Sequence, residues 1–101
     1  MSEFEFTELQ YAKPVKGEPK KLYLYNAEGF HTRPVWFTSG PLDFLEPEVP
    51  LPIAWAAISR HMEQGLEVRV TDGGDMLLFH AKGGEILYPP DVELEEFWGT
   101  L

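Results

Sequence analysis

Two Gly-Gly pairs, Gly73-Gly74 and Gly83-Gly84, divide the stretch 65–90 into three short segments that mix apolar and polar residues. A two-residue type I′ turn needs positive φ at both central positions, and glycine adopts positive φ without strain. Each pair is therefore predicted to close a tight turn between neighbouring antiparallel strands. The result is a three-stranded meander over about 66–89.

These turns fix a strand register in which apolar residues from all three strands lie on one face of the sheet. A slip of one residue would turn those side chains into water, so the pattern favours this register over its neighbours. The predicted apolar pairs are Val70–Leu77, Val68–Phe79, Leu66–Ala81, Ala81–Ile86 and Phe79–Tyr88. The opposite face is predicted to carry Glu67, His80 and Leu87 in one row, with Arg69 beside Leu78 in the next.

Three further elements follow from residue patterns. Aromatic and β-branched residues on either side of a turn-forming Asn26–Gly29 segment predict a hairpin over about 21–38. Because Pro34 lacks a backbone donor, its strand is predicted to be a sheet edge unless the proline lies at a bulge or at a position whose donor faces away from the ladder. Apolar residues at helical spacing, followed by Gly65 as a C-terminal cap, predict a main helix over about 52–64 that packs on the sheet. A short C-terminal helix is predicted over about 91–98, capped by Asp91 and stopped by Gly99.

Together these elements predict an α+β protein with a mostly antiparallel sheet, and the length of the chain predicts a single domain over 1–101. The chain is 44% hydrophobic, which is enough apolar side chain for one core. It has no cysteine, which excludes disulfides, thiolate metal sites and cysteine nucleophiles. No apolar run approaches membrane-spanning length, and the N-terminal MSEFEFTELQ lacks the basic start of a secretory signal. A cytoplasmic location is expected.

The charge of the chain restricts its partners. Seventeen acidic and eight basic residues give a formal net charge of -9. This charge repels phosphate backbones and anionic lipid, so direct nucleic-acid binding and membrane binding are disfavoured. Acidic residues interleave with apolar ones at the C-terminal end, and this combination is suited to a basic, partly apolar partner. The predicted partner-binding residues are Asp91, Glu93, Glu95, Glu96 and Trp98.

The leading hypothesis from the sequence is therefore a small protein-interaction module that binds a basic protein surface. An inhibitor, an immunity-type protein or a nucleic-acid mimic would have this character. The structural alternative for the same residues is a short helix that packs Leu94, Phe97 and Trp98 against its own core.

Two other hypotheses stay open at this stage. Glu67 opposite His80, with Arg69 nearby, could form the pocket of a small enzyme or ligand-binding domain, since a carboxylate beside an imidazole occurs in acid–base sites. No nucleophile or metal-binding spacing accompanies them, and neither a catalytic residue nor a cofactor is predicted. The third hypothesis is a structural oligomer, such as a homodimer formed through the Pro34-containing strand or the aromatic C-terminus.

Overall fold

The computed structural model describes residues 13–31, 33–40, 48–90 and 93–101, and within them one six-stranded sheet packs against two helices. The elements in chain order are β1 (Lys20–Leu24), β2 (Val35–Thr38), β3 (Val49–Pro50), α1 (Leu51–Glu63), β4 (Val68–Asp72), β5 (Leu77–Lys82), β6 (Glu85–Tyr88) and α2 (Leu94–Thr100). The strand order across the sheet is β3-β2-β1-β4-β5-β6. Only β2 and β3 are parallel, so the predicted α+β class with a mostly antiparallel sheet is confirmed.

The predicted hairpin is formed by β1 and β2. Its turn is organised by Asn26, whose side-chain oxygen accepts hydrogen bonds from the backbone N–H groups of Glu28 (2.9 Å) and Phe30 (3.0 Å). Pro34 precedes β2 and lies outside the ladder, so no strand hydrogen bond is lost. β2 has β1 on one side and β3 on the other, so it is not a sheet edge that a second copy could extend.

The main helix α1 agrees with its predicted bounds to within one residue at each end. Pro52 lies in its first turn, where the missing N–H has no intrahelical partner to lose. At the other end Gly65 has φ +75°, its N–H bonds to the Met62 carbonyl, and the N–H of Leu66 bonds to the His61 carbonyl. This pair of bonds is a Schellman motif, as the glycine predicted. The helix buries the stripe Leu51, Ala54 and Ile58.

The first Gly-Gly turn differs from its prediction. Neither Gly73 nor Gly74 has positive φ; Asp75 has it instead, at +68°. The side chain of Asp72 accepts hydrogen bonds from the N–H groups of Gly74 (2.8 Å) and Met76 (2.9 Å), which widens the loop to three residues. The wider loop shifts the pairing by one residue, to Thr71 opposite Leu77, and a bulge just beyond it shifts the pairing by one more, so that Val70 lies opposite Phe79 and Val68 opposite Ala81.

Beyond the bulge, an offset of two residues leaves the side chains on their original faces, so most of the predicted core survives the error. The residues Val68, Val70, Phe79 and Ala81 are all fully buried. The second turn is confirmed, since Gly83 and Gly84 both have positive φ, Lys82 faces Glu85 and Ala81 faces Ile86. Beyond it a bulge pairs Tyr88 with His80, so the predicted Phe79–Tyr88 pair is wrong.

A second bulge changes the face on which Leu78 lies. The ladder between β4 and β5 passes from Val70–Phe79 to Thr71–Leu77, which leaves Leu78 as the extra residue on β5. Leu78 and Phe79 are both fully buried although they are consecutive. The prediction that Leu78 lies beside Arg69 on the polar face is therefore wrong, and Arg69 faces His80 instead.

The C-terminal helix α2 spans Leu94–Thr100 rather than 91–98. Gly99 does not stop it, since the helix continues to Thr100, and the side chain of the next residue, Leu101, is buried in the core. The predicted cap Asp91 lies outside the described residues. Neither helix in the described part of the chain has the length and hydropathy needed to cross a membrane.

Candidate functional site

The helix α2 separates its acidic from its apolar side chains. Phe97 is buried, and its ring stacks on that of Phe79 with centroids 5.3 Å apart. Trp98 is half-buried against α1, where its ring lies 4.5 Å from that of Trp55. The aromatic residues of this helix therefore pack on the protein's own core, and Trp98, a predicted partner-binding residue, is largely engaged there.

The acidic residues at the start of α2 point into solvent. Glu93 precedes the helix, and Glu95 and Glu96 lie in its first turn, where negative charge interacts favourably with the helix dipole. All three side chains are exposed. Within the described ranges, no lysine, arginine or histidine lies within ion-pair distance of them. We refer to Glu93, Glu95 and Glu96 as the acidic surface.

A buried lysine holds the end of α2 in place. Lys20 is only 1% exposed, and its Nζ donates hydrogen bonds to the main-chain oxygens of Val15 (2.8 Å), Glu18 (2.8 Å) and Leu101 (2.7 Å). The Leu101 oxygen also accepts the N–H of Gly17 at 3.1 Å. Burial lowers the pKa of Lys20, although the negative charges of nearby carboxylates act in the opposite direction. This contact fixes α2 against β1 and against the segment that precedes β1.

A cavity of about 350 Å³ lies beside the acidic surface, between α2 and the ends of β5 and β6. Its lining is mainly apolar and includes Leu78, Pro89 and Phe97. Two charged residues, Lys13 and Glu96, also line it. Glu96 thus belongs both to the acidic surface and to the cavity. We call this space the C-terminal cavity.

The sheet face opposite the core brings Glu67, Arg69 and His80 together, and we call these three residues the polar sheet face. His80 Nε2 lies 2.7 Å from Glu67 Oε2 and donates to it, because an ionised carboxylate only accepts. Arg69 Nε donates to the same oxygen at 3.2 Å. Glu67 was predicted directly opposite His80 but is diagonal to it, since Arg69 occupies the opposite position.

The environment of Glu67 favours its ionised form. Its side chain is 14% exposed and that of His80 is 17% exposed, so the pair is partly shielded from water. Burial raises the pKa of Glu67, but the hydrogen bond from His80 and the charge of Arg69 together outweigh it and bring the pKa below the ordinary 4.5. The Glu67–His80 hydrogen bond is thus partly shielded from water, and the Arg69 guanidinium adds a positive charge beside Glu67.

Aromatic rings extend this face across β1 and β2. The Arg69 guanidinium lies 5.6 Å from the centre of the Tyr25 ring, and Lys21 Nζ lies 5.4 Å from that of Trp36. Lys21 also contacts Asp75 at 2.6 Å, and this hydrogen bond raises the pKa of Lys21 and lowers that of Asp75. Neither Tyr25 nor Trp36 was predicted as a site residue. The available signal was the position of Tyr25 after Leu22 and Leu24 and of Trp36 between Val35 and Phe37, and this alternation predicted only strands.

No group of three or more histidine or acidic side chains within the described ranges is arranged to hold a metal ion. Comparisons of the chain with protein-family models, with curated proteins and with solved structures found no match. The acidic surface, the C-terminal cavity and the polar sheet face are therefore the features from which a function is inferred.

Proposed function

We propose that this protein is an interaction module whose acidic surface binds a basic surface on another protein. The observation that carries the proposal is the arrangement of α2, in which the aromatic residues pack inward and Glu93, Glu95 and Glu96 face solvent without a cationic partner in the described chain. Binding of exposed carboxylates of this kind to a cationic surface costs little free energy, because no internal ion pair has to be broken first.

The net charge of -9 supports the same function at longer range. A strongly acidic protein attracts a basic one before contact, which raises the association rate and makes affinity fall as salt is added. An inhibitor, an immunity-type protein or a nucleic-acid mimic would use such attraction to reach a basic target. The enzyme or nucleic-acid-binding surface that such a protein blocks would supply the complementary charge.

Affinity capture with charge-matched variants tests this proposal. The tagged protein is incubated with lysate of its own source at low and at elevated salt, and retained proteins are identified by mass spectrometry. The variant Glu95→Gln/Glu96→Gln neutralises the acidic surface. Its control, Glu28→Gln/Glu63→Gln, has the same net charge and alters exposed acidic residues outside the acidic surface.

We expect one basic protein to be retained by the wild type and by the control at low salt and to be released at elevated salt. Loss of two exposed carboxylates should lower its affinity for the Glu95→Gln/Glu96→Gln variant roughly three- to tenfold. Equal retention by the two variants, or retention that salt does not change, would contradict the proposal.

The polar sheet face favours a second candidate, a ligand-binding function, because Glu67, Arg69 and His80 meet in one partly shielded cluster. A thermal-shift screen of small polar compounds tests it. A ligand of this face should stabilise the wild type and the Glu95→Gln/Glu96→Gln variant but not an Arg69→Gln/His80→Asn variant. A screen whose only hits also stabilise the last variant would argue against this candidate.

A further inference from the structure

We propose that the C-terminal cavity is the anchor site for an arginine side chain of the basic partner. This inference rests on the proposed function and adds to it the kind of side chain that is recognised and the place where it binds. Three properties of the cavity carry it: its size, its apolar lining and the unequal distribution of charge around it.

The size and lining suit a long amphipathic side chain. A space of about 350 Å³ lies at the small end of the range for ligand pockets and has room for one large side chain. Leu78, Pro89 and Phe97 offer apolar contacts to the aliphatic stem of an arginine. A purely charged partner group would gain little from these contacts, and a small apolar one would leave part of the space unfilled.

The charge around the cavity favours a cation. Glu96 lines the cavity, and Glu93 and Glu95 stand on the same short segment with their side chains exposed. Within the described lining Lys13 balances the charge of Glu96, so the excess of negative charge beside the cavity comes from Glu93 and Glu95. Arginine suits this setting better than lysine, because its planar guanidinium can bind a carboxylate through two parallel hydrogen bonds and is more weakly hydrated.

Packing and a hydrogen bond hold the helix that lines the cavity in place. Phe97 stacks on Phe79 at the base of α2, and Leu101 is fixed by Lys20 through a 2.7 Å hydrogen bond. A pre-formed cavity loses little conformational entropy when a side chain enters it, and well-packed central pockets are where interface binding energy concentrates. Arginine is among the residues enriched at such positions.

A titration with a simple probe tests the anchor directly. Nitrogen-15-labelled protein is titrated with N-acetyl-arginine methylamide, and N-acetyl-lysine methylamide serves as the comparison compound. We expect saturable amide shifts at Leu78, Phe97 and Thr100, with the arginine probe binding at least about threefold more tightly than the lysine probe. Absence of saturable shifts at these residues, or equal binding of the two probes, would overturn the inference.

Three variants sharpen the titration. Thr100→Trp fills the cavity from an exposed lining position and should abolish the shifts, whereas Ala56→Trp adds the same side chain to an exposed position on α1 and should leave them unchanged. Glu96→Gln should weaken probe binding, and Lys13→Gln should strengthen it. If Thr100→Trp does not fold, Glu96→Gln and Lys13→Gln still test the inference, because it requires them to change probe binding in opposite directions. Equal changes in probe binding would overturn the inference.

Affinity capture separates this inference from the proposed function. If Thr100→Trp retains the basic partner as well as the wild type does while Glu95→Gln/Glu96→Gln does not, the acidic surface binds the partner but the cavity is not its anchor. If neither variant loses the partner, both proposals fail. Loss in both variants, with retention by Ala56→Trp, supports both.

Discussion

A lysine in the core usually signals a compensating set of acceptors, and Lys20 has three main-chain oxygens within 2.8 Å of its Nζ. These oxygens come from both sides of β1 in the sequence, from the preceding segment and from residue 101. The lysine therefore holds together parts of the chain that the sheet ladder does not connect. Its role is structural, and the position of α2 with its acidic surface depends on it.

Replacing Lys20 by methionine should lower the free energy of unfolding by about 2–4 kcal/mol, because three main-chain oxygens would each lose a hydrogen bond from the buried Nζ. Methionine keeps most of the side-chain volume, so the effect reports the hydrogen bonds more than a cavity. Urea unfolding followed by circular dichroism measures the change. Lys16→Met is the control, since Lys16 is exposed and its replacement should change stability by no more than about 0.5 kcal/mol. Equal midpoints for the two variants would contradict this role for Lys20.

A second prediction at the residue scale concerns how Glu67 affects the pH dependence of the free energy of unfolding. Its pKa in the folded protein lies below the ordinary value of 4.5, so the carboxylate contributes stability above about pH 4.5 and loses that contribution as the pH falls through the folded pKa. Glu67→Gln should therefore lower the free energy of unfolding at pH 7 by about 0.5–1.5 kcal/mol. The difference between the two proteins should shrink below pH 4.5.

Thermal unfolding at several pH values between 3 and 7 measures this convergence. Glu63→Gln, which changes an exposed residue near the end of α1, should follow the wild type throughout. A constant difference between wild type and Glu67→Gln across the whole range would show that the contact with His80 and Arg69 does not depend on the charge of Glu67.

At the scale of elements, the two Gly-Gly turns show how side chains outside a turn select its type. Lys82 and Glu85 leave Gly83 and Gly84 free to form the two-residue turn that glycine pairs favour. In the first turn, Asp72 accepts two backbone N–H groups and Asp75 takes positive φ, a conformation that aspartate tolerates better than most residues. Gly73 and Gly74 therefore form a three-residue loop together with Asp75, although they are a Gly-Gly pair like Gly83 and Gly84.

Alanine substitutions distinguish the two turns. Gly83→Ala places a Cβ on a residue with φ +65° and should cost about 1–2 kcal/mol of unfolding free energy. Gly74→Ala should change stability by less than about 0.5 kcal/mol, because Gly74 lacks positive φ and its new Cβ would meet its neighbour only at 3.6 Å. Chemical denaturation of the two variants measures the difference. Equal losses would mean that the first turn is the two-residue type after all.

The sequence predicted most elements because each depends on local pattern. The α1 stripe, the Gly65 cap and the alternating apolar residues of β4 and β5 are all readable over a few residues. The two bulges were not predictable in this way. Their position depends on how β4, β5 and β6 twist against each other, and they alone decide that Leu78 is buried and that Tyr88 faces His80.

At the scale of the whole molecule, the sites also differ in whether local sequence pattern predicts them or only the folded chain creates them. The acidic surface was predicted because charge in a short segment is visible in the sequence. The C-terminal cavity was not, because it joins Lys13 with the ends of β5 and β6 and with α2, and it needs the bulge at Leu78 to exist. The meeting of Glu67 with His80 was predicted from a register that proved wrong by two residues, and it survived because that error preserves the face.

The net charge and the acidic surface make separate contributions to binding that one measurement can resolve. Attraction before contact depends on the total charge and, because salt screens distant charges, most strongly on the charges that face the partner. Two variants of equal net charge should therefore associate at different rates when only one of them lacks charge at the interface.

The most direct test is the association rate constant with the captured basic partner, measured over a range of ionic strength for three proteins. These are the wild type, Glu95→Gln/Glu96→Gln and the charge-matched Glu28→Gln/Glu63→Gln. We predict that the rate falls steeply with salt for the wild type and for the charge-matched control, and that it is slower and less salt-dependent for the variant of the acidic surface. Identical salt dependence in the two variants, or a rate that salt leaves unchanged, would contradict the account of this protein as an acidic interaction module.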